Sequence, residues 1–91
     1  MRIELVWQDD REEHIGRHGV DIEEVLEVFH SRHVRTGARR RRARIIGATQ
    51  YGRILTIIVE RLGPVRFALI TARDSDERER RFFRRRMGTG R

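Results

Sequence analysis

Cysteine is absent from this 91-residue chain, so neither a disulfide framework nor a thiolate zinc site can hold it together. Lysine is absent as well: all 21 basic residues other than histidine are arginine. Proline occurs once, at Pro64, and no proline- or glycine-rich linker or internal repeat divides the chain. The longest apolar stretch, Ile54 to Val59 with Thr56 inside it, is far too short to cross a bilayer. Glu4 and the acids from Asp9 onward interrupt any signal-peptide core, so the expected compartment is the cytoplasm. There is no Walker loop, no glycine-rich dinucleotide signature, no convergent carboxylate cluster and no serine elbow. Metal-dependent phosphoryl chemistry is therefore not expected, nor is any cofactor or metal. Histidine, arginine and tyrosine remain as the groups that could do chemistry.

What the chain does have is arginine, unevenly placed. Residues 1–34 carry a net charge of −5 and residues 35–91 a net of +12, within an overall +7. Some of this bias fits a GC-rich coding sequence, but the asymmetry points to one side that faces a polyanion. Arginine grips phosphate with a flat fork of donors and stacks on bases, which lysine does not. With a pI near 11.5, nucleic acid is the first partner to consider and a membrane is not. The length suits one domain, expected over residues 1–87, with a disordered tail at 88–91.

Residues 2–7 alternate and read as a short strand, and residues 9–17 as a short charged helix closed by Gly19. Asp21 opens a second helix with a capping box to Glu24, and Val20 and Val25 stand at the staple positions. Ile22, Val25, Leu26 and Phe29 form its buried stripe. From His33 the period becomes that of strands, over 33–36, 43–49, 54–60 and 65–72, with turns near Gln50–Gly52 and Gly63–Pro64. The stretch 54–60 is apolar on both faces, as a central strand should be. Asp74 and Glu77 are spaced to cap a last helix over about 75–86. The order β-α-α-β-β-β-β-α predicts an α+β fold, with one mostly antiparallel sheet and helices packed on one face.

Four places could carry chemistry. His14 and His18 lie four residues apart, on one helical face, with Arg17 between them. Histidine titrates near neutral pH and suits a general base. The competing reading makes His18 a packing or capping residue, and a two-histidine metal site would need His30 or His33 as a third ligand. Arg53 follows a turn into the central strand, and Arg73 ends the last strand. Each can hold phosphate or simply pair with a carboxylate such as Glu60 or Asp74. Arg35, Arg39, Arg40, Arg41, Arg42 and Arg44 form a run without an acid, suited to holding a phosphate backbone. Tyr51 offers a stacking surface, and Trp7 belongs more naturally to the core. These groups suit metal-free RNA cleavage, in which the substrate's own 2′-hydroxyl attacks the phosphorus.

In order along the chain come Trp7, the corner Arg17-His18-Gly19-Val20, Glu23-Glu24-Val25 through Val28-Phe29, Gly47 with Thr49, Gly52-Arg53, and Thr71-Ala72-Arg73 with Glu77-Arg78 or Glu79-Arg80. In these features the chain resembles the BrnT family of toxins, within the RelE-like group of toxin–antitoxin ribonucleases. The resemblance implies an endoribonuclease fold and a cognate antitoxin, a small DNA-binding repressor. It also implies roles for His18 and Arg17 at the corner and for Arg53 and Arg73 at phosphate. Arg17 stands where the family usually has lysine, and His14 stands near a common asparagine. Phe82 or Phe83 replaces a tyrosine, and the Trp7–His18 spacing is one residue short. Two alternatives use the same arginine-rich face, a non-catalytic RNA- or DNA-binding module and an antitoxin-binding protein. Homodimerisation stays open.

Overall fold

The computed structural model describes residues 2–37 and 39–88. Its elements are β1 (Glu4–Val6), α1 (Asp9–Gly16), α2 (Ile22–His30), β2 (His33–Gly37), β3 (Arg42–Ala48), β4 (Ile54–Arg61), β5 (Arg66–Asp74) and α3 (Glu77–Arg86). The strands form one mixed sheet in the order β1-β5-β4-β3-β2. Three neighbouring pairs are antiparallel, and β1 joins β5 in parallel. The α+β class and the element order are as the sequence leads one to expect. The doubly apolar β4 is the central strand, and both its faces meet a packed layer.

The helices divide between the two faces, in place of the single helical layer expected from the sequence. Ile45 and Ile46 are adjacent on β3 and so point to opposite sides. Ile45 joins Ile15, Val25, Val28, Phe29, Leu55, Ile57 and Val59 in the core under α1 and α2. Ile46 joins Val34 and Phe83 in a smaller cluster under α3. The α3 segment has few apolar residues, and Phe82 and Phe83 suffice only for a small seam on the second face.

Local rules explain α2. The Asp21 carboxylate accepts from the Glu24 amide and the Glu24 carboxylate accepts from the Asp21 amide, which satisfies two orphan donors at once. Val20 and Val25, the staple residues, are both buried. Gly47 lets α2 lie close on β3, since a Cβ there would come within 2.9 Å of Val28 Cγ1.

The last helix starts later than Asp74 would have it. Asp76 is its cap and Glu79 completes the box. Asp74 still belongs to β5, opposite Leu55, and its carboxylate is taken by Arg53. Two overlapping Asp-x-x-Glu patterns exist here, and only the second lets Glu79 reach Thr56 and Arg73 beneath the helix. Gly88, where a tail was expected to start, closes α3 with a φ of +68°, a conformation open to glycine. The remainder of that expected tail lies outside the described residues. No helix among the described residues is long and apolar enough to cross a membrane.

Candidate active site at the end of the last strand

Of the residues expected to be catalytic, His14 and Arg53 contact Thr71 and Asp74 in the C-terminal half of β5, and Arg73 belongs to it. β1 pairs only with Arg66 to Ala68 of that strand, so the outer edge beyond is left to α1. Arg11 of α1 donates to the Ile70 carbonyl at 2.8 Å. His14 of α1 lies with Nε2 3.0 Å from the Thr71 hydroxyl. One turn on, the His18 ring sits edge-on to His14 with centroids 5.4 Å apart. His14 is half-buried and His18 is exposed. Arg17 is exposed as well, and its nearest carboxylate oxygen, on Glu13, is 4.0 Å away.

The sheet register shows what His14 looks onto. Thr71, Ile58, Arg44 and Thr36 are aligned across β5, β4, β3 and β2. Arg73, Thr56, Ile46 and Val34 form the next row. Both rows point to the face that carries α3. Thr71 and Arg44 are two strands apart, about 10 Å. His14 therefore reaches round the open edge of β5 to the face that holds Arg44 and Arg73.

Two helix-capping glutamates hold the two arginines singled out from the sequence. Glu24, the third residue of α2, accepts from Arg53 Nη1 at 2.8 and 3.0 Å. Asp74 accepts from Arg53 Nε at 2.9 Å. Glu79, the third residue of α3, accepts from Arg73 Nη1 at 2.8 Å and Nη2 at 2.9 Å. In each case the carboxylate that completes a capping box also anchors an arginine from elsewhere in the chain. These contacts raise the pKa of both guanidinium groups, through Asp74 for Arg53 and Glu79 for Arg73. The Arg53 guanidinium in turn holds the Asp74 carboxyl below its ordinary range.

Glu79 is the most constrained charge in the molecule, with 7% of its surface exposed. Burial pushes its carboxyl upward. The hydrogen bonds from Arg73, the Asp76 amide and the Thr56 hydroxyl outweigh that and hold it at about 2. Arg44 adds a more distant charge, with Nε 3.7 Å from the same carboxylate.

Arg53 and Arg73 do not converge. Asp74 and Arg73 are adjacent on a strand, so their side chains leave on opposite faces. Arg53 follows Asp74 to the α2 side. There its Nη2 lies so near Gly19 that a Cβ on that residue would come within 3.6 Å. Gly19 has a φ of +75°, so the corner beside His18 is shaped by a glycine and braced by Arg53. Arg73 follows Thr71 to the α3 side.

The arginine run is split in the same way. Arg35 lies with its guanidinium 5.6 Å over the Phe67 ring, on the α1–α2 side and away from Arg44. Arg39, Arg40, Arg41 and Arg42 line a concavity of about 470 Å³ at the β2–β3 turn, with Glu60 as its acid. Tyr51 is 88% exposed at the β3–β4 turn. Among the described residues, no group of three or more His, Asp or Glu side chains converges as metal ligands would. His33, once considered a third ligand, has Nδ1 within hydrogen-bond distance of the Val28 and Ser31 carbonyls.

Sequence reasoning missed Thr71, Glu24 and Glu79 as parts of this site. Glu79 had a visible signal, the second capping box. Thr71 had none, because its contact with His14 spans 57 positions.

No family model matches the chain, and no curated protein matches it. Among solved structures, it is similar to the crystal structure of the Brucella abortus ribonuclease toxin BrnT. The fold is BrnT-like. The match has a TM-score of 0.66 and covers 82% of this chain and 99% of the toxin, at 17% sequence identity. At that identity the likeness is one of architecture. It agrees with the family resemblance in the sequence and leaves the chemistry to be argued from the residues.

Proposed function

We propose that this protein is an endoribonuclease toxin of a type II toxin–antitoxin system that cleaves RNA without a metal ion. The observation that carries the reading is the His14–His18 pair at the open edge of β5, beside an arginine-bearing sheet face, on a fold shared with a ribonuclease toxin. His18, exposed to solvent, removes the proton from a ribose 2′-hydroxyl. The 2′-oxygen attacks the adjacent phosphorus, and the bond from phosphorus to the 5′-oxygen breaks. His14 returns a proton to that leaving oxygen. The products are a 2′,3′-cyclic phosphate and a 5′-hydroxyl.

Arg73 is suited to the charge that develops on phosphorus. A guanidinium has five N–H donors, and Arg73 commits three of them, on Nη1 and Nη2, to Glu79 and the Asp74 carbonyl, so Nε–H and the second Nη2–H remain for an oxyanion. Arg53 is more fully engaged, by Glu24 and Asp74 together, and serves to brace the corner that carries His18. Arg17 helps to orient the phosphate. The arginines at 39–42 and Arg44 hold the RNA backbone, and Tyr51 provides a stacking surface. A cognate antitoxin is the expected protein partner, with a basic face to cover.

The test is cleavage of RNA by the purified protein in EDTA, beside His14→Ala, His18→Ala and Arg73→Ala. Loss of activity in each variant is the expected result, and equal activity in all four proteins would overturn the assignment. The ion pairs that occupy Arg53 and Arg73 at rest favour a second reading, in which the same face binds nucleic acid without cutting it. Salt-sensitive binding with no cleavage by the intact protein would support that reading.

A further inference from the structure

Among the described residues, the buried side-chain polar atoms without a hydrogen-bond partner are Thr36 Oγ1 and Arg44 Nε. They are neighbours. Thr36 and Arg44 stand directly opposite each other on β2 and β3, on the face that carries α3. Both line one cavity of about 550 Å³, together with Ile46, Phe82, Arg73 and Arg78. That volume falls within the roughly 300–1,000 Å³ of small-ligand clefts. A buried polar group left unpaired is destabilising, so two in one cleft call for a ligand that supplies the missing partners.

The charges say which ligand. The acids at this cavity are already answered. Glu79 is held by two hydrogen bonds from Arg73, and the Asp76 carboxylate accepts from the Glu79 amide of its own helix. Arg78 takes part in none of the ion pairs found among the described residues. The unspent hydrogen-bonding capacity is therefore donor capacity: Arg44 Nε, which meets Glu79 only as an ion pair at 3.7 Å, the Arg78 guanidinium and the Thr36 hydroxyl. A group with several acceptor oxygens and negative charge fits it. The half-buried Phe82 ring adds apolar surface beside these donors, which suits a nucleoside more than a bare anion.

We propose that this cavity binds the phosphate ester of a nucleotide. Phosphate oxygens accept from Arg44, Thr36 and Arg78, and the nucleoside lies against Phe82. The ligand comes either as a free mononucleotide or as the nucleotide that flanks the cleaved one in RNA. The second source rests on the ribonuclease reading above. It fits the spacing, since Arg44 lies about 10 Å along one cross-strand row from the Thr71 that anchors His14.

The experiment is a calorimetric titration of the full chain with 5′-AMP, with inorganic phosphate and with a short RNA that is 2′-O-methylated throughout. That RNA lacks the attacking hydroxyl, so binding is read whether or not the protein cleaves. Thr36→Val removes one hydroxyl and keeps the side-chain shape, and Arg44→Gln removes the guanidinium. Arg66→Gln, at the far end of β5 beside Glu4, removes the same charge away from the cavity. Both cavity variants are expected to weaken binding about fivefold or more, with Arg66→Gln near wild type and a urea midpoint for Thr36→Val no lower than that of the wild type. Weaker 5′-AMP binding identifies a free mononucleotide as a ligand, and an effect confined to the RNA identifies the flanking nucleotide. Wild-type binding of both ligands by both cavity variants would overturn the proposal. So would an equal loss in Arg66→Gln, or inorganic phosphate binding as tightly as 5′-AMP.

Discussion

Arg53 and Asp74 form a two-pronged ion pair, with Nε 2.9 Å from one carboxylate oxygen and Nη2 3.4 Å from the other. The same guanidinium also holds Glu24, so one side chain ties the start of β4 to the end of β5 and the first turn of α2. Arg53→Lys keeps the charge but cannot span both carboxylates. It should lower stability by about 1–3 kcal/mol, close to the effect of Arg53→Ala, because in both the half-buried Glu24 and the β5 end at Asp74 are no longer tied together. Urea denaturation of the two variants measures this. Full retention of stability in Arg53→Lys would show that charge alone matters at this position.

Glu79 makes the fold sensitive to acid. Its folded carboxyl is held at about 2, against an ordinary value of 4.5. A depressed folded pKa contributes stability that is complete above the unfolded value and is lost as pH falls through 4.5 toward 2. The contribution at neutral pH is about 3 kcal/mol. Asp74 acts in the same direction, but its side chain is largely exposed and screened. Denaturation midpoints should therefore fall as pH drops from about 5 to about 2.5 in the wild type. In Glu79→Gln, which keeps the capping geometry, the midpoint should be lower at neutral pH and depend much less on pH. An unchanged acid profile in that variant would rule out Glu79 as the source.

How far the sequence leads depends on how local each interaction is. The Asp21–Glu24 box and the Val20–Val25 staple are readable because their partners lie within five positions. β4 is readable as the central strand because burial on both faces leaves no polar alternation. The start of α3 is not, since Asp74–Glu77 and Asp76–Glu79 offer the same pattern and only tertiary contacts with Arg73 and Thr56 choose between them. The side of the sheet that α3 covers is equally hidden, because its two phenylalanines name a seam without saying which face receives it. At the candidate site, the histidine spacing and the two arginines are legible. Their partners are not, since Glu24 meets Arg53 across 29 positions and His14 meets Thr71 across 57.

The arginines of the β2–β3 turn should reveal themselves through salt. Single-stranded nucleic acid binding loses affinity with a log–log slope of about −0.7 for each phosphate neutralised. Replacing Arg39 and Arg41 together by alanine should make the slope shallower by about 1.4. Arg40 is left intact in this test because its φ of 63° would add a backbone effect to the loss of charge. Fluorescence anisotropy with a labelled 2′-O-methylated RNA across a salt series gives the slope. A slope equal to that of the wild type would place the bound RNA elsewhere.

The central claim is that the RNA supplies its own nucleophile and that His14 and His18 move the protons. The most direct measurement is the end-group chemistry of the products formed in EDTA. The account predicts 2′,3′-cyclic phosphate and 5′-hydroxyl ends, with no cleavage where the ribose at the cut site is replaced by 2′-deoxyribose and none by His14→Ala or His18→Ala. Products with 5′-phosphate ends, or cleavage that persists at the 2′-deoxy position, would contradict it.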